Sequence, residues 1–346
     1  MVNLRLRRAG LPVAMTALAA IVGTVLSSGS AAAATPSDTS GAAAAAVKSG
    51  DLFAPKSASK TRGSVSALST DPTNFGDITG DGKADLAAID ASGKLWIYPG
   101  KAISHDPSTA YPKNLFNARF QAGSSGWNNF TAVVRYGDFN ADGKQDILTR
   151  DKQGNLSIYP GTGTTPQIIA NKGIAAGTGW SGFASITGAG DLNSDGLDDI
   201  LGQKTDGTLW LYTGTGKVTK PFSSRGTQIG TGWKGDLLTA AGDWSGDGRP
   251  EFWFRNTKGY ISLYQSKSGL MPIGKGEVIV DDAELGKYFK GIVGAGNLIN
   301  DSQYLPYPDS LWQLKDGSMY IVAPDTDMIG DDVELATSGW QGYKLF

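Results

Sequence analysis

Gly76-Asp77-Ile78-Thr79-Gly80-Asp81-Gly82-Lys83-Ala84-Asp85 is the first of several copies of one ten-residue pattern. It returns as Gly137-Asp138-Phe139-Asn140-Ala141-Asp142-Gly143-Lys144-Gln145-Asp146 and as Gly190-Asp191-Leu192-Asn193-Ser194-Asp195-Gly196-Leu197-Asp198-Asp199. A fourth copy is Gly242-Asp243-Trp244-Ser245-Gly246-Asp247-Gly248-Arg249-Pro250-Glu251, and a damaged fifth opens at Gly296-Asn297. The steps between first acidic positions, counting Asn297, are 61, 53, 52 and 54 residues. A fixed period of this length is the signature of a repeat architecture. A second marker keeps the same beat. Gly-Trp occurs at Trp127, Trp180 and Trp233, and again two periods later at Trp340, the missing marker falling near Tyr288-Phe289.

Within each period the patterning is that of strands. A short apolar run follows the acidic loop (Asp85 to Ile89, Asp199 to Leu201), then a turn at Gly93, Gly154, Gly207, Gly259 or Gly317, then an alternating strand such as Leu95-Trp96-Ile97-Tyr98 or Leu209-Trp210-Leu211-Tyr212. The Gly-Trp segment and the apolar stretch before the next Gly-Asp bring the count to about four strands per period. Four-stranded units of this size around an axis are propeller blades. The C-terminal Gly339-Trp340-Gln341-Gly342-Tyr343-Lys344-Leu345-Phe346 opens a further period, and Phe75-Gly76-Asp77 lacks that opening. The two ends complement each other, which predicts an all-β, five-bladed propeller over residues 71–346, its ring closed by the C-terminal strand.

Composition fits this fold and excludes others. The 346 residues include 48 glycines and 9 tryptophans, with charged residues at 18%, as many tight turns between aromatic-rich strands require. A formal net charge of −2 argues against a strongly basic nucleic-acid binder. The single histidine, His105 in a Ser-His-Asp-Pro turn, excludes multi-histidine zinc sites and reads as an exposed loop residue. Trp96 and Trp210 read as structural.

The N-terminal segment reads as an export signal over residues 1–34. Arg5, Arg7 and Arg8 form a basic region, Leu11 to Leu26 an apolar one, and Ala32-x-Ala34 a small-residue cleavage site. Arg7-Arg8 leaves either the general or the twin-arginine route open. The Ala/Ser/Thr-rich residues 35–70 read as a disordered linker. The expected mature protein is secreted, monomeric and without a membrane span. Having no cysteine, it draws no stability from disulfides.

Each acidic loop sets oxygen donors at positions 1, 3, 5 and 9, with glycine at 6 where the chain turns. Donors of this kind at this density suit Ca²⁺, which takes six to eight oxygens. The backbone carbonyl of position 7 is a further donor. The expected ligands are Asp77, Thr79, Asp81, Lys83 and Asp85; Asp138, Asn140, Asp142, Lys144 and Asp146; Asp191, Asn193, Asp195, Leu197 and Asp199; and Asp243, Ser245, Asp247, Arg249 and Glu251. The spacing resembles the first half of an EF-hand loop, but its last acid is at 9 rather than 12 and strands flank it. Removing three arginines with the signal leaves 28 basic against 33 acidic side chains. Twelve of those acids occupy positions 1, 5 and 9 of the four loops, a concentration that a cation would relieve. The fifth copy, with Asn297, Ile299, Asp301 and an insertion from Asn300 to Pro308, is expected not to bind.

These copies, with following strands such as Leu95-Trp96-Ile97-Tyr98-Pro99-Gly100 and Leu156-Ser157-Ile158-Tyr159-Pro160-Gly161, resemble the FG-GAP/VCBS repeats of integrin α-subunits and many secreted bacterial proteins. The resemblance covers residues 73–346. It implies a calcium-binding propeller with roles in adhesion, carbohydrate recognition or as an accessory to secreted hydrolases. Tyr-Pro-Gly or Tyr-Thr-Gly stands where that family has Gly-Ala-Pro, and the count is five rather than seven. The Gly-x-Gly-Trp period also resembles tachylectin-type five-bladed lectins.

Repetition suits a multivalent ligand such as a polymeric glycan, bound through Trp127, Asn128, Trp180 and Trp233 stacking on sugar faces. A protein-binding scaffold is the alternative. An enzyme would need a site that breaks the repeat symmetry. The departures are Lys101 to Gln121 and the fifth repeat with Tyr304, Tyr307 and Asp309, near Asp281, Asp282, Asp331 and Asp332. Binding is favoured over catalysis.

Overall fold

The computed structural model describes residues 75–101, 103–105, 114–244, 249–266, 276–280, 283–301, 308–322, 334–336 and 339–346. The segments read as signal and linker, together with Ser245, Asp247, Tyr304, Tyr307, Asp281, Asp282, Asp331 and Asp332, lie outside them. The fold is all-β, with five four-stranded antiparallel sheets. Blade 2 runs β5 (Ala132–Val134), β6 (Ile147–Arg150), β7 (Leu156–Tyr159) and β8 (Ile174–Gly177) in simple sequence order. Blade 3 repeats it with β9 (Phe183–Gly190), β10 (Asp199–Lys204), β11 (Leu209–Tyr212) and β12 (Thr227–Gly230). Blade 4 uses β13 (Gly235–Gly242), β14 (Glu251–Asn256), β15 (Ile261–Tyr264) and β16 (Glu277–Val280).

Blade 5 uses β17 (Phe289–Gly296), β19 (Asp309–Leu314), β20 (Met319–Val322) and β21 (Glu334–Ala336). Blade 1 joins both ends of the chain. β1 (Leu86–Ile89), β2 (Leu95–Tyr98) and β4 (Phe120–Gly123) are completed by the C-terminal β22 (Lys344–Leu345), with Ala88 opposite Leu345. Closure in this way hides two sheet edges that would otherwise offer unpaired backbone groups to other chains. His105, read as a turn residue, instead lies in β3 (Ser104–His105), which pairs in parallel with β18 (Asn300–Asp301) and so ties the long blade 1 segment to the fifth repeat.

Alternation along the strands explains how the blades pack. In β2, β7 and β11 the residues at odd positions are buried and those at even positions half-buried. Each sheet thus offers apolar side chains to a neighbour, and the buried residues fall into five clusters, one at each junction between blades. Trp96 and Trp210 point to the half-buried side, Trp210 packing against the cluster between blades 2 and 3.

The Gly-Trp turns are the joints of the ring. The N–H of Trp127, Trp180, Trp233 and Trp340 donates to the carbonyl of Gly93, Gly154, Gly207 and Gly317, the hairpin glycine of the preceding blade. A long polar side chain from that blade's second strand secures the same turn. Arg150 Nη1 donates to Trp180 O (3.2 Å), Gln203 Nε2 to Gly235 O (3.1 Å), Arg255 Nη1 to Gly286 O (3.0 Å) and Gln313 Nε2 to Tyr343 O (3.1 Å). At the fourth junction, where Gly-Trp is missing, α1 (Ala283–Tyr288) takes the place of the turn. Blade 1 has Ile89 at the clamp position. Its junction with blade 2 is held by the fully buried Arg135, whose Nη1 reaches Asp85 O at 2.8 Å. Beside it Tyr136 stacks on Phe75 at 4.4 Å. Gly188 leaves room for the Arg135 and Tyr136 carbonyls, and Gly294 for the Phe75 ring.

Candidate metal centres

In an antiparallel four-stranded blade the connections between strands 1 and 2 and between strands 3 and 4 share one end, and the remaining connections share the other. The acidic loops therefore lie on one face of the ring and the Gly-Trp joints on the opposite face. Within each described loop, position 1 organises the turn. Asp77 accepts N–H groups from Gly80 (2.7 Å), Asp81 (3.2 Å) and Gly82 (2.7 Å). Asp138 accepts from Asp142 and Gly143, and Asp191 from Asp195 and Gly196. Position 5 accepts the N–H of position 7: Asp81 from Lys83, Asp142 from Lys144, Asp195 from Leu197.

The three loops share one backbone conformation. Position 4 is left-handed in each, with φ of 76° at Gly80, 60° at Ala141 and 64° at Ser194. An alanine and a serine hold this conformation at a cost of about 1–2 kcal/mol each, which the surrounding hydrogen bonds must offset.

Position 9, expected as a cation ligand, has a second role that the spacing did not announce. Asp85, Asp146 and Asp199 are fully buried. Asp85 Oδ2 accepts from Ile78 and Thr79 N–H at 3.0 and 2.9 Å, while Oδ1 accepts from Gly100 N–H at 2.9 Å. Asp199 does the same with Leu192, Asn193 and Gly214 at 3.1, 3.3 and 2.8 Å. Asp146 takes Asn140 and Gly161. Each acid staples its own loop to the hairpin between strands 3 and 4.

The Tyr-Pro-Gly and Tyr-Thr-Gly tripeptides now have a reason. A Cβ at Gly100, Gly161 or Gly214 would come within 2.0, 2.3 or 2.5 Å of the position 8 carbonyl oxygen. Only glycine lets that strand approach closely enough to give its N–H to the acid. The glycine fifteen residues after each acid was the available signal.

Burial, the largest influence, raises these carboxyls, with Asp85 reaching about 6 and Asp146 and Asp199 about 7. Neighbouring loop acids push the same way and backbone N–H groups oppose. Asp77, Asp138 and Asp191 are raised by burial too. Loops 2 and 3 also touch, since Asp138 N–H donates to Asp198 at 2.7 Å. In loop 4, Asp243, Arg249 and Glu251 are described, with Asp243 and Glu251 buried.

Among the described residues, no group of three or more carboxylate, His or Cys side chains converges as a ready metal cage. The position 1 and 9 carboxylates are turned onto backbone donors. The donor chemistry nevertheless fits a hard cation. Asn140 Oδ1, at position 3, is shielded from solvent and receives no hydrogen bond, and a carboxylate with three acceptor positions filled retains about one more. When bound, Ca²⁺ would supply positive charge and coordination to these oxygens.

The fifth repeat keeps the loop half of the staple and loses the donors at positions 1 and 3. Asp309, beyond the insertion, accepts from Leu298 and Ile299 N–H at 2.8 and 3.0 Å, so it stands at position 9. The candidate sugar platforms are occupied by the fold. Trp127, Trp180 and Trp233 are 7%, 8% and 7% exposed, with Tyr159, Tyr212 and Tyr264 against their rings at 4.8, 4.5 and 4.4 Å. That packing leaves no open face for a sugar to stack on. Asn128 is exposed, with Oδ1 beside Gly93.

Fold and loops together define a five-bladed propeller built from acidic-loop repeats. The chain belongs to the FG-GAP-like repeat family, which matches residues 77–149, 138–202 and 191–254, each match beginning on a position 1 aspartate. No curated protein matches it. Among solved structures, human WBSCR16 is similar at 9% identity and a TM-score of 0.31, over 70% of this chain and 60% of that one. The chain thus spans less than two thirds of that protein's length. BBS1N, in its complex with ARL6DN soaked with lead, is similar at 12% identity and a TM-score of 0.34, over 72% and 78%. Among the described residues no helix is long and apolar enough to cross a membrane.

Proposed function

We propose that this protein is an exported, non-catalytic binding and adhesion module for extracellular carbohydrate, with its loop face held in shape by Ca²⁺. The observation that carries the calcium reading is the recurrence of one loop geometry three times, with the Asn140 oxygen left unpartnered inside it. Support for binding over catalysis is the repetition itself: similar loops presented around one face favour a ligand that repeats, with avidity gains of about 10²–10⁴ when sites are spanned together.

Extracellular modules bind Ca²⁺ at about 10⁻⁴–10⁻³ M, so at about 1 mM free calcium four sites add about 2–6 kcal/mol by linkage. That is comparable with the net stability of a whole domain. The test is thermal unfolding of the mature protein with calcium and with EDTA, followed by a glycan array under both conditions. A melting temperature indifferent to EDTA would rule out the calcium part. A clean negative array from a folded, calcium-loaded protein would remove carbohydrate as the ligand and assign the loop face to a protein partner.

A further inference from the structure

One position breaks the repeat and builds a constellation absent from the other described blades. In blades 2, 3 and 4 the residue just before the outermost strand is Gly173, Gly226 or Gly276, lying against the ring of Tyr159, Tyr212 or Tyr264. Blade 1 has Arg119 there. Its guanidinium lies 4.1 Å from the centre of the Trp96 ring and donates through Nη1 to the hydroxyls of Tyr98 (2.7 Å) and Tyr343 (2.6 Å).

Two further residues complete it. Tyr343 adds a hydroxyl where the preceding turns of blades 2 and 3 have Phe130 and Phe183, and Trp96 stands where blades 2 and 4 have Ser157 and Ser262 and blade 3 has Trp210. Arg119 and the Tyr343 hydroxyl set blade 1 apart, and with Trp96 and Tyr98 they seat one exposed guanidinium. No carboxylate pairs with it among the described residues. Lys290 adds a second cation nearby, its Nζ donating to Gln341 O at 2.7 Å and to Tyr343 O at 2.5 Å.

We propose that Arg119, seated by Trp96, Tyr98 and Tyr343, is a single recognition site for the carboxylate of a uronic-acid-containing polysaccharide. With Nη1 engaged by two phenols, the Nε and Nη2 edge remains, and that edge forms the parallel fork matching a carboxylate. The half-buried rings of Trp96, Tyr98 and Tyr343 flank the guanidinium and offer their edges to a sugar ring beside it. Holding the side chain in place beforehand lowers the ordering cost of binding. The site deepens the carbohydrate reading and rests on it.

The test is calorimetry of the calcium-loaded mature protein with glucuronan oligosaccharides, their carboxyl-reduced glucan counterparts and sulfated glucan oligosaccharides. The expected result is binding of glucuronan about tenfold tighter than the reduced form, lost about tenfold in Arg119→Gln and only partly kept in Arg119→Lys. Arg119 also spans β2 and the C-terminal closure, so the melting temperature is measured beside each affinity. If Arg119→Gln fails to fold, Tyr343→Phe, which restores the residue found in blades 2 and 3 and keeps the ring, is expected to weaken glucuronan binding more than reduced-glucan binding. Equal binding of glucuronan and reduced glucan, or variants that bind glucuronan as the parent does, would overturn the site and leave the carbohydrate reading standing. Tighter binding of the sulfated glucan, lost in Arg119→Gln, would overturn the carboxylate assignment. No binding of any glycan would overturn both readings together.

Discussion

Blades 3 and 5 close their first connection with the same acid and surround it differently. In blade 3, Asp199 accepts the N–H of Leu192, Asn193 and Gly214 while Asp191, Asn193 and Asp195 ring the loop. In blade 5, Asp309 accepts the N–H of Leu298 and Ile299, but positions 1 and 3 are Asn297 and Ile299, and Asp301 has been drawn into β18. The loop half of the staple persists where positions 1 and 3 have become Asn297 and Ile299. The closing acid therefore serves the fold first, and the proposed cation is assigned to the remaining acceptor positions of the oxygens at positions 1, 3 and 5.

The largest effect should come from the staple itself. Asp199→Ala and Asp309→Ala each leave buried N–H groups without an acceptor, and we expect a loss of about 3–5 kcal/mol in both, read from denaturant midpoints. The loss at Asp309 should be the same in calcium and in EDTA. A calcium-dependent loss there would erase the distinction between the two blades.

A joint variant sets the scale for ordinary packing. Gln203→Ala strips the Trp233–Gly235 turn of its side-chain donor and should cost about 1–3 kcal/mol whatever the calcium level. Smaller again is Asp195→Asn, at an exposed position 5. It should cost at most about 0.4–1.4 kcal/mol in about 1 mM calcium and next to nothing in EDTA.

The pH response sharpens the comparison further. Burial raises Asp85, Asp146 and Asp199 above the ordinary aspartate value, so the folded state holds these protons more tightly than the unfolded chain does. Their contribution is complete below about pH 4 and is lost as pH rises through 6 to 7. Metal-free protein should thus lose stability between about pH 4 and 7, and saturating calcium should flatten that decline. A metal-free protein that gains stability over the same interval would contradict the burial of these acids.

Much of this was legible in the chain. The period of the Gly-Asp copies and the complementary ends announced five blades and the closure, because repeats that cannot bury their faces alone must stack. The tryptophans show where reading stops. A Gly-Trp marker looks the same whether its ring faces solvent or a neighbouring tyrosine, and only the ring geometry places Trp180 on Tyr212. The role of Asp309 was hidden for another reason: the insertion moved it out of register with the other closing acids. Arg119 lay within the long Lys101 to Gln121 segment, and its match to Gly173 and Gly226 became visible only through strand pairing.

The separation of staple from cation donors is tested most directly by counting calcium ions with titration calorimetry, on the mature protein and on Asp195→Asn. The account predicts about four ions for the parent and one fewer for the variant, with identical unfolding curves in EDTA. An absence of calcium binding, or a variant that binds as many ions as its parent, would contradict it.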